Sequence, residues 1–215
     1  MFSWLTMFFI FGFSGENVSD EVKMGVPFVP FEEATEQIKV VQDMLDQIQP
    51  DRDTQRGLLE FLWYGLTRHK PKIMAFHIGI GYNGKSVVLE MWHVTLGGYS
   101  YYGGERLYGA NADSTTLANM GGCRSVVLDD QDEKKPMSKS TTKSFTGSKF
   151  MNCRKLYSTL TEYENDAAFN CGYNEMPHYP DPDSALTRRY FFLTLFSKFS
   201  QFEHVKVKLD FDCIF

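Results

Sequence analysis

The sequence predicts an α/β fold, with a central, mostly parallel sheet flanked by helices and a small helical region ahead of it. Three observations predict it. A phosphate-loop pattern, Gly79-Ile80-Gly81-Tyr82-Asn83-Gly84-Lys85-Ser86, stands between a strand-like run and a helix-like one. Other apolar runs end in polar residues suited to a shared site, notably Asp129-Asp130 and Asn174. Strand-like and helix-like stretches alternate, the pattern of a layered fold built on parallel strands.

The loop comes first because its demands are the most specific. Its glycines let the backbone turn so that successive N–H groups face a phosphate. Lys85 is the residue that reaches the β- and γ-phosphates, and the Ser86 hydroxyl is suited to a magnesium ion. Gly79, Gly81, Asn83 and Gly84 complete the cradle. Upstream, Ile73 to Ile78 is a short apolar run between Pro71 and Gly79, which reads as a buried strand. Downstream, Val87, Val88, Met91, Trp92 and Leu96 recur at helical spacing, and Gly97-Gly98 stops the helix. The motif needs this strand, loop and helix in this order.

Ahead of the loop, Pro27 to Phe31 reads as an extended linker. From Glu32 to Ile48, the residues Ile38, Val41, Leu45 and Ile48 fall on one helical face, and Pro50 ends the helix. Asp51 or Asp53 caps a second helix with a stripe of Leu58, Leu59, Leu62 and Leu66. Beyond the loop, Tyr99 to Gly109 reads as a tyrosine- and glycine-rich loop. Asp113 caps a short helix running to Met120. Val126 to Leu128, Ala167 to Cys171 and Tyr190 to Leu195 are the remaining strand candidates. The expected divisions are an apolar segment 1–25, a helical region 26–70, a core 71–200 and a tail 201–215.

Hydrolysis of a nucleotide needs acid residues near the metal, a group that senses the γ-phosphate, and positive charge for the transition state. Ligands of open α/β sheets gather at the carboxyl ends of strands. Val126-Val127-Leu128-Asp129-Asp130 places two carboxylates at such an end. One would complete a magnesium shell and the other would polarise the attacking water. An acidic turn is the alternative reading. Asn174 follows another strand and suits the γ-phosphate or the water, although a turn asparagine explains it equally. Arg188-Arg189 precede the last strand and read either as surface residues or as an arginine finger directed at a neighbouring subunit.

The 215-residue chain has a net charge of −5, which excludes a surface that grips nucleic acid all over. Within it, Lys134 to Lys155 holds seven basic residues (Lys134, Lys135, Lys139, Lys143, Lys149, Arg154 and Lys155) and no acid. Such a segment on an acidic body suits a local contact with phosphates; a solvated charged loop is the alternative. Phe145, Phe150 and Tyr157 lie within or beside it, suited to stacking on bases or to core packing. The four cysteines, Cys123, Cys153, Cys171 and Cys213, have no metal-ligand spacing and read as reduced and intracellular. Met1 to Phe13 is apolar and uncharged but too short for an ordinary span, and no membrane association is expected.

Taken together, these residues resemble superfamily 3 helicases, specifically the helicase part of the helicase-primases of large DNA viruses of eukaryotes and related phage and plasmid replication proteins. The resemblance covers residues 18–199. It rests on Gly79 to Ser86 with the helix ending Thr-Leu-Gly-Gly-Tyr; Ala118-Asn119 through Arg124 into Val-Val-Leu-Asp-Asp; and Lys143-Ser-Phe-Thr-Gly-Ser. It also rests on Arg154-Lys-Leu-Tyr157, Tyr173-Asn174-Glu-Met-Pro177, and Thr187-Arg188-Arg189-Tyr ending in Phe196-Ser-Lys-Phe199. Val26 to Phe31 and Gln49-Pro-Asp51 are similar to the region ahead of that domain.

The resemblance implies a P-loop NTPase of AAA+ type that binds ATP and Mg2+, assembles as a homo-oligomeric ring, usually hexameric, and translocates on single-stranded DNA to unwind duplex at a replication fork. It implies that Lys85 and Ser86 bind phosphate and magnesium, that Asp129 or Asp130 fills the acidic motif, and that Asn174 is the sensor. It assigns Arg188 or Arg189 to the arginine finger, and the segment around Arg154 and Lys155, with Lys143 before it, to DNA contact. The setting would be intracellular: a host nucleus, a cytoplasmic replication site or a virus particle. Two positions depart from the family's pattern. Asp130 stands where a glutamate is usual, and Lys149 where an aspartate is usual. Family members are much longer, so a fragment is expected, and the runner-up reading is a truncated remnant that binds nucleotide or joins a ring without catalysis.

Overall fold

The computed structural model describes residues 35–103, 114–131, 138–154, 160–177 and 184–199. The apolar start, Pro27 to Phe31, Asp113, Lys134, Lys135, Lys155, Tyr157 and the tail after Phe199 lie outside them. Two amphipathic helices come first, α1 (Thr35–Ile48) and α2 (Arg52–Thr67). The turn between them is fixed by a side-chain cap: Asp51 accepts the Thr54 N–H at 2.8 Å, satisfying an N–H that the helix itself cannot. Then follow β1 (Met74–Ile78), α3 (Lys85–Leu96), β2 (Ser100–Gly103), α4 (Ser114–Asn119), β3 (Ser125–Gln131), α5 (Lys139–Gly147), β4 (Phe150–Arg154), β5 (Leu160–Glu164), β6 (Ala168–Tyr173), α6 (Ser184–Thr187) and β7 (Tyr190–Thr194).

Five strands form one sheet in the order β2-β3-β6-β1-β7, and every neighbouring pair in it is parallel. Strands β1 and β6 are buried on both faces, which is why they read as unbroken apolar runs rather than alternating ones. One face of the sheet, with Ala75, Ala168 and Leu193, packs on α1, α2 and α3 through Leu45, Leu62, Val88 and Trp92. The opposite face, with Phe76, Val126, Phe169 and Cys171, packs on α4, α5 and a separate antiparallel hairpin of β4 and β5 through Leu117, Phe145 and Met151. The result is three layers. The first two helices share a core with the sheet, so the helical region and the strand–loop–helix unit are one packed body.

Two sequence expectations need correction. Tyr99 to Gly109 is not simply a loop: it opens with β2, whose Ser100 to Gly103 pair with Ser125 to Leu128. Tyrosine and glycine give no apolar run to signal this edge strand. The described part of the basic segment is not a solvated loop either, because it builds α5 and β4. Phe145 is core, 1 % exposed, and stacks on Phe169 at 4.6 Å between ring centroids; Phe150 is 51 % exposed. Among the described residues no helix is long and apolar enough to cross a membrane, and Cys123, Cys153 and Cys171 are buried free thiols.

The Phe145–Phe169 stack joins α5 to the central strand, so Phe169→Ala should destabilise the fold by about 3–5 kcal/mol, measured by urea unfolding followed by circular dichroism.

Candidate functional site

The site lies along the carboxyl edge of the sheet. β1 runs straight into the glycine loop. The Gly79 N–H donates to the Tyr173 carbonyl of β6 at 3.1 Å, and the Leu195 N–H donates to the Ile78 carbonyl at 2.8 Å, so both neighbouring strands hold the start of the loop. Inside the loop, the buried Asn83 folds back: its Oδ1 accepts the Lys85 N–H at 3.1 Å. Gly84 has φ +82°, and a Cβ there would meet Ile48 Cγ1 at 2.6 Å. Only glycine satisfies both the left-handed backbone and the contact with α1. At Gly81, by contrast, a Cβ would have nothing within 4 Å, because this glycine is exposed.

The N-cap of helix α3, Gly84, offers no side-chain acceptor, and only the Lys85 N–H is taken, by Asn83, whereas the N-caps of α2 and α5, Asp51 and Ser138, accept a first-turn N–H. Its first turn therefore offers N–H groups and the positive end of the helix dipole toward the loop, the arrangement that binds anions. Lys85 is 5 % exposed. Its Nζ donates to the Tyr173 carbonyl at 3.2 Å and to Asn174 Oδ1 at 3.1 Å. Burial pushes the Lys85 ammonium below its ordinary pKa, while the charges of Asp129 and Asp130 pull the other way.

The two carboxylates come from a bulge at the end of β3, where the register with β6 shifts between Leu128 and Gln131. Such a bulge re-aims side chains at a strand end. Asp130 has φ +52° and is exposed. Its N–H donates to Asp129 Oδ1 at 2.9 Å. Asn174 Nδ2 donates to Asp130 Oδ1 at 3.5 Å. The structure thus brings Lys85, Asn174, Asp129 and Asp130 together from the ends of three adjacent strands. Among the described residues no group of three or more His, Cys, Asp or Glu forms an all-protein metal cage. By the chemistry of their oxygens, the Ser86 hydroxyl and the Asp129 or Asp130 carboxylate are the residues that would hold a magnesium ion.

Arg188 and Arg189 are not part of this cluster. They stand at the amino end of β7, where the Met74 N–H donates to the Arg189 carbonyl at 2.7 Å. β1 has five residues, so at ~3.3 Å each the arginines lie about 16 Å along the strand from the loop. Arg188 Nε donates to the Ser184 carbonyl at 3.0 Å, and Arg189 to that of Ala185 at 3.4 Å. On the basic segment, Lys143 is on α5 and the exposed Arg154 ends β4; Lys155 lies outside the described residues. Lys149 pairs with Glu164 of β5 at 3.2 Å and covers the Phe150 ring.

Five residues in or beneath the site escaped the sequence reading. A Cβ at Gly172 would collide with the Asp129 carboxylate; this glycine is the vacancy into which Asp129 leans. Tyr102 on β2 donates from its hydroxyl to Asp129 Oδ2 at 3.2 Å. Beneath the loop, His77 of β1 bonds Asn170 Oδ1 at 3.0 Å, and Asn170 Nδ2 donates to Ser125 Oγ at 3.4 Å. That relay crosses three strands inside the core. None of these residues belongs to a motif, and only their strand register reveals them.

The class that fold and site define is an α/β protein with a parallel five-stranded sheet and a strand–glycine-loop–helix unit. Its fold is similar to that of the C-terminal region of NrS-1. One apo structure of that region superposes with a TM-score of 0.64 at 16% identity, over 82% of this chain and 42% of that one. A second gives 0.63 at 15% with the same coverage, and a third gives 0.57 over 73% and 36%. The chain spans about two fifths of the length of the first two of those chains. No family model matches the chain, and no curated protein matches it in sequence.

Burial lowers the His77 pKa to about 4 from an ordinary 6.5, with the Asn170 bond opposing. The folded state therefore favours neutral His77, and its contribution is complete above pH 6.5 and lost as pH falls toward 4. The unfolding free energy should drop in that window by up to roughly 1.4 kcal/mol per pH unit, and His77→Gln should flatten the slope in urea titrations at pH 7, 5.5 and 4.5.

Proposed function

We propose that the chain is an ATP-dependent DNA helicase module of the superfamily 3, AAA+ kind, which hydrolyses ATP to move along single-stranded DNA in replication. The observation that carries this reading is the meeting of Lys85, Asn174 and the Asp129-Asp130 pair at the carboxyl ends of β1, β6 and β3. A glycine-rich turn without a ligand has no reason to hold a lysine almost buried beside two carboxylates. The ordered series of motifs after the loop adds the helicase class.

In this reading the Gly79–Ser86 backbone and the uncapped end of α3 bind the triphosphate, and Lys85 turns from Tyr173 and Asn174 toward the β- and γ-phosphates. A magnesium ion bound by Ser86 and Asp129 would neutralise charge on the phosphate oxygens. Asp130 accepts the proton of the attacking water, and Asn174, already within reach of both Lys85 and Asp130, orients that water. Water exclusion is partial, because Tyr82 and Ile80 at the loop's tip are exposed.

Arg188 and Arg189 cannot serve the phosphates of their own subunit from the amino end of β7. Their distance favours action on a neighbour's nucleotide, the requirement for an arginine finger in a homo-oligomeric ring. Arg154 on the hairpin and Lys143 on α5, with Lys155 next in sequence to Arg154, would contact single-stranded DNA phosphates. The Lys149–Glu164 pair accounts for the departure at Lys149: its charge is taken up across the hairpin rather than offered to DNA.

Purified protein should hydrolyse ATP faster with single-stranded DNA, and Lys85→Ala should lower the rate at least 100-fold; equal rates in the two proteins would sink the proposal. Arg188→Ala/Arg189→Ala subunits and Lys85→Ala subunits should each be inactive alone but regain ATPase activity when mixed, because a mixed ring pairs an intact loop with an intact finger. Absence of any recovery on mixing would overturn the action of the arginines on a neighbour's nucleotide.

A further inference from the structure

The Asp129 carboxylate is held from three sides. Its Oδ1 accepts the Asp130 N–H at 2.9 Å, and its Oδ2 accepts the Tyr102 hydroxyl at 3.2 Å. On the β6 side, the missing side chain of Gly172 makes room for it. Tyr102 is paired with Val127 across β2 and β3, and Val127 and Asp129 share a face of β3 by the two-residue period of a strand. The tyrosine therefore reaches one step forward along its neighbour to meet Asp129.

The ring that carries this hydroxyl is itself placed. It packs on His93 of α3, with centroids 5.3 Å apart at 58°. His93 belongs to the helix that begins with Lys85 and Ser86. Tyr102 thus bridges the phosphate-loop helix and the acid-bearing strand. Tyr102 is 41 % exposed, at the edge of the sheet rather than in the core.

We propose that Tyr102 is a positioning residue that fixes Asp129 for binding the divalent cation of a metal–nucleotide complex. The proposal rests on the nucleotide-binding reading of the loop. A carboxylate free to rotate in water must be ordered before it can offer one oxygen to a cation. An O–H donor on the other oxygen does that ordering in advance, and the bond is charge-assisted. The distribution is specific: Asp130 Oδ1 receives Asn174 instead, so the two acids are held by different partners and do different work. Donors behind metal ligands typically change metal affinity 10- to 100-fold.

The test is Mn2+ binding to the protein–ADP complex, followed by electron paramagnetic resonance of free Mn2+, for wild type, Tyr102→Phe, Asp129→Ala and the double variant. Tyr102→Phe keeps the ring on His93, and the thermal midpoint checks that it stays folded. The expected result is about 10-fold weaker Mn2+ binding, unchanged ADP affinity in EDTA, and no further loss from Tyr102→Phe in the Asp129→Ala background. A merely structural tyrosine would lower the midpoint and act equally in both backgrounds. Unchanged Mn2+ affinity in Tyr102→Phe, with Asp129→Ala weakened, would overturn the role of Tyr102 and leave the nucleotide reading standing. Failure of wild type to bind ADP would remove the nucleotide reading and this proposal with it.

Discussion

A lysine 5 % exposed is the constraint on which the rest of this structure depends. Taking an ammonium group out of water costs several kcal/mol unless charge and hydrogen bonds replace the lost hydration. Lys85 obtains that replacement from Tyr173 and Asn174 at the end of β6, and from the charges of Asp129 and Asp130 at the end of β3. The compensation requires a particular topology. β1 must deliver the loop beside β6, and β6 must lie between β1 and β3 with all three running the same way. An antiparallel neighbour would send its carboxyl end to the far side of the molecule.

The order also explains the layers. Parallel neighbours need crossover connections, so the helices between strands cover both faces. Buried on both sides, the middle strands tolerate polar atoms only where they satisfy each other. His77, Asn170 and Ser125 do so in a line across β1, β6 and β3. The line lies within a few residues of the loop, Asn174 and the acids, so it ties together the three strands that carry the site. A neutral histidine suits this place because one ring nitrogen can donate to Asn170 without adding a second positive charge near Lys85.

Much of this was legible in the sequence because each signal was local. The apolar run 73–78, the loop, and the stripe Val88, Trp92 and Leu96 define a strand, a turn and a helix within a few residues of one another. Asp129-Asp130 and Asn174 were legible as strand ends. What the sequence hid depends on pairing between distant segments. β2 lacks an apolar run because, at the edge of the sheet, it packs only partly, so Tyr102 looked like a loop residue. Gly172 is one of many glycines until β6 is set beside β3. The separation of Arg188 and Arg189 from the loop follows from the parallel pairing of β1 with β7, and dipeptide composition carries no such information.

The position of the arginines shapes the logic of the whole molecule. If the proposed function holds, a chain that places its glycine loop and its acids at one end of a sheet, and its paired arginines at the other, would have a complete binding site and an incomplete catalytic one. Positive charge near the transferring phosphate would then have to come from elsewhere. Lys85 supplies one charge, but two carboxylates already lean on it. A second copy, presenting the amino end of its β7, would supply the missing charge and make hydrolysis conditional on assembly. The exposed face of the hairpin would then lie on the same assembly, and the two acid-rich and basic parts of one chain would serve different ligands: nucleotide at the carboxyl edge of the sheet, and a phosphate backbone at the hairpin. On that reading, the seven basic residues gathered in one segment of a chain of net charge −5 would serve the backbone, while Lys85 alone stands beside the acids.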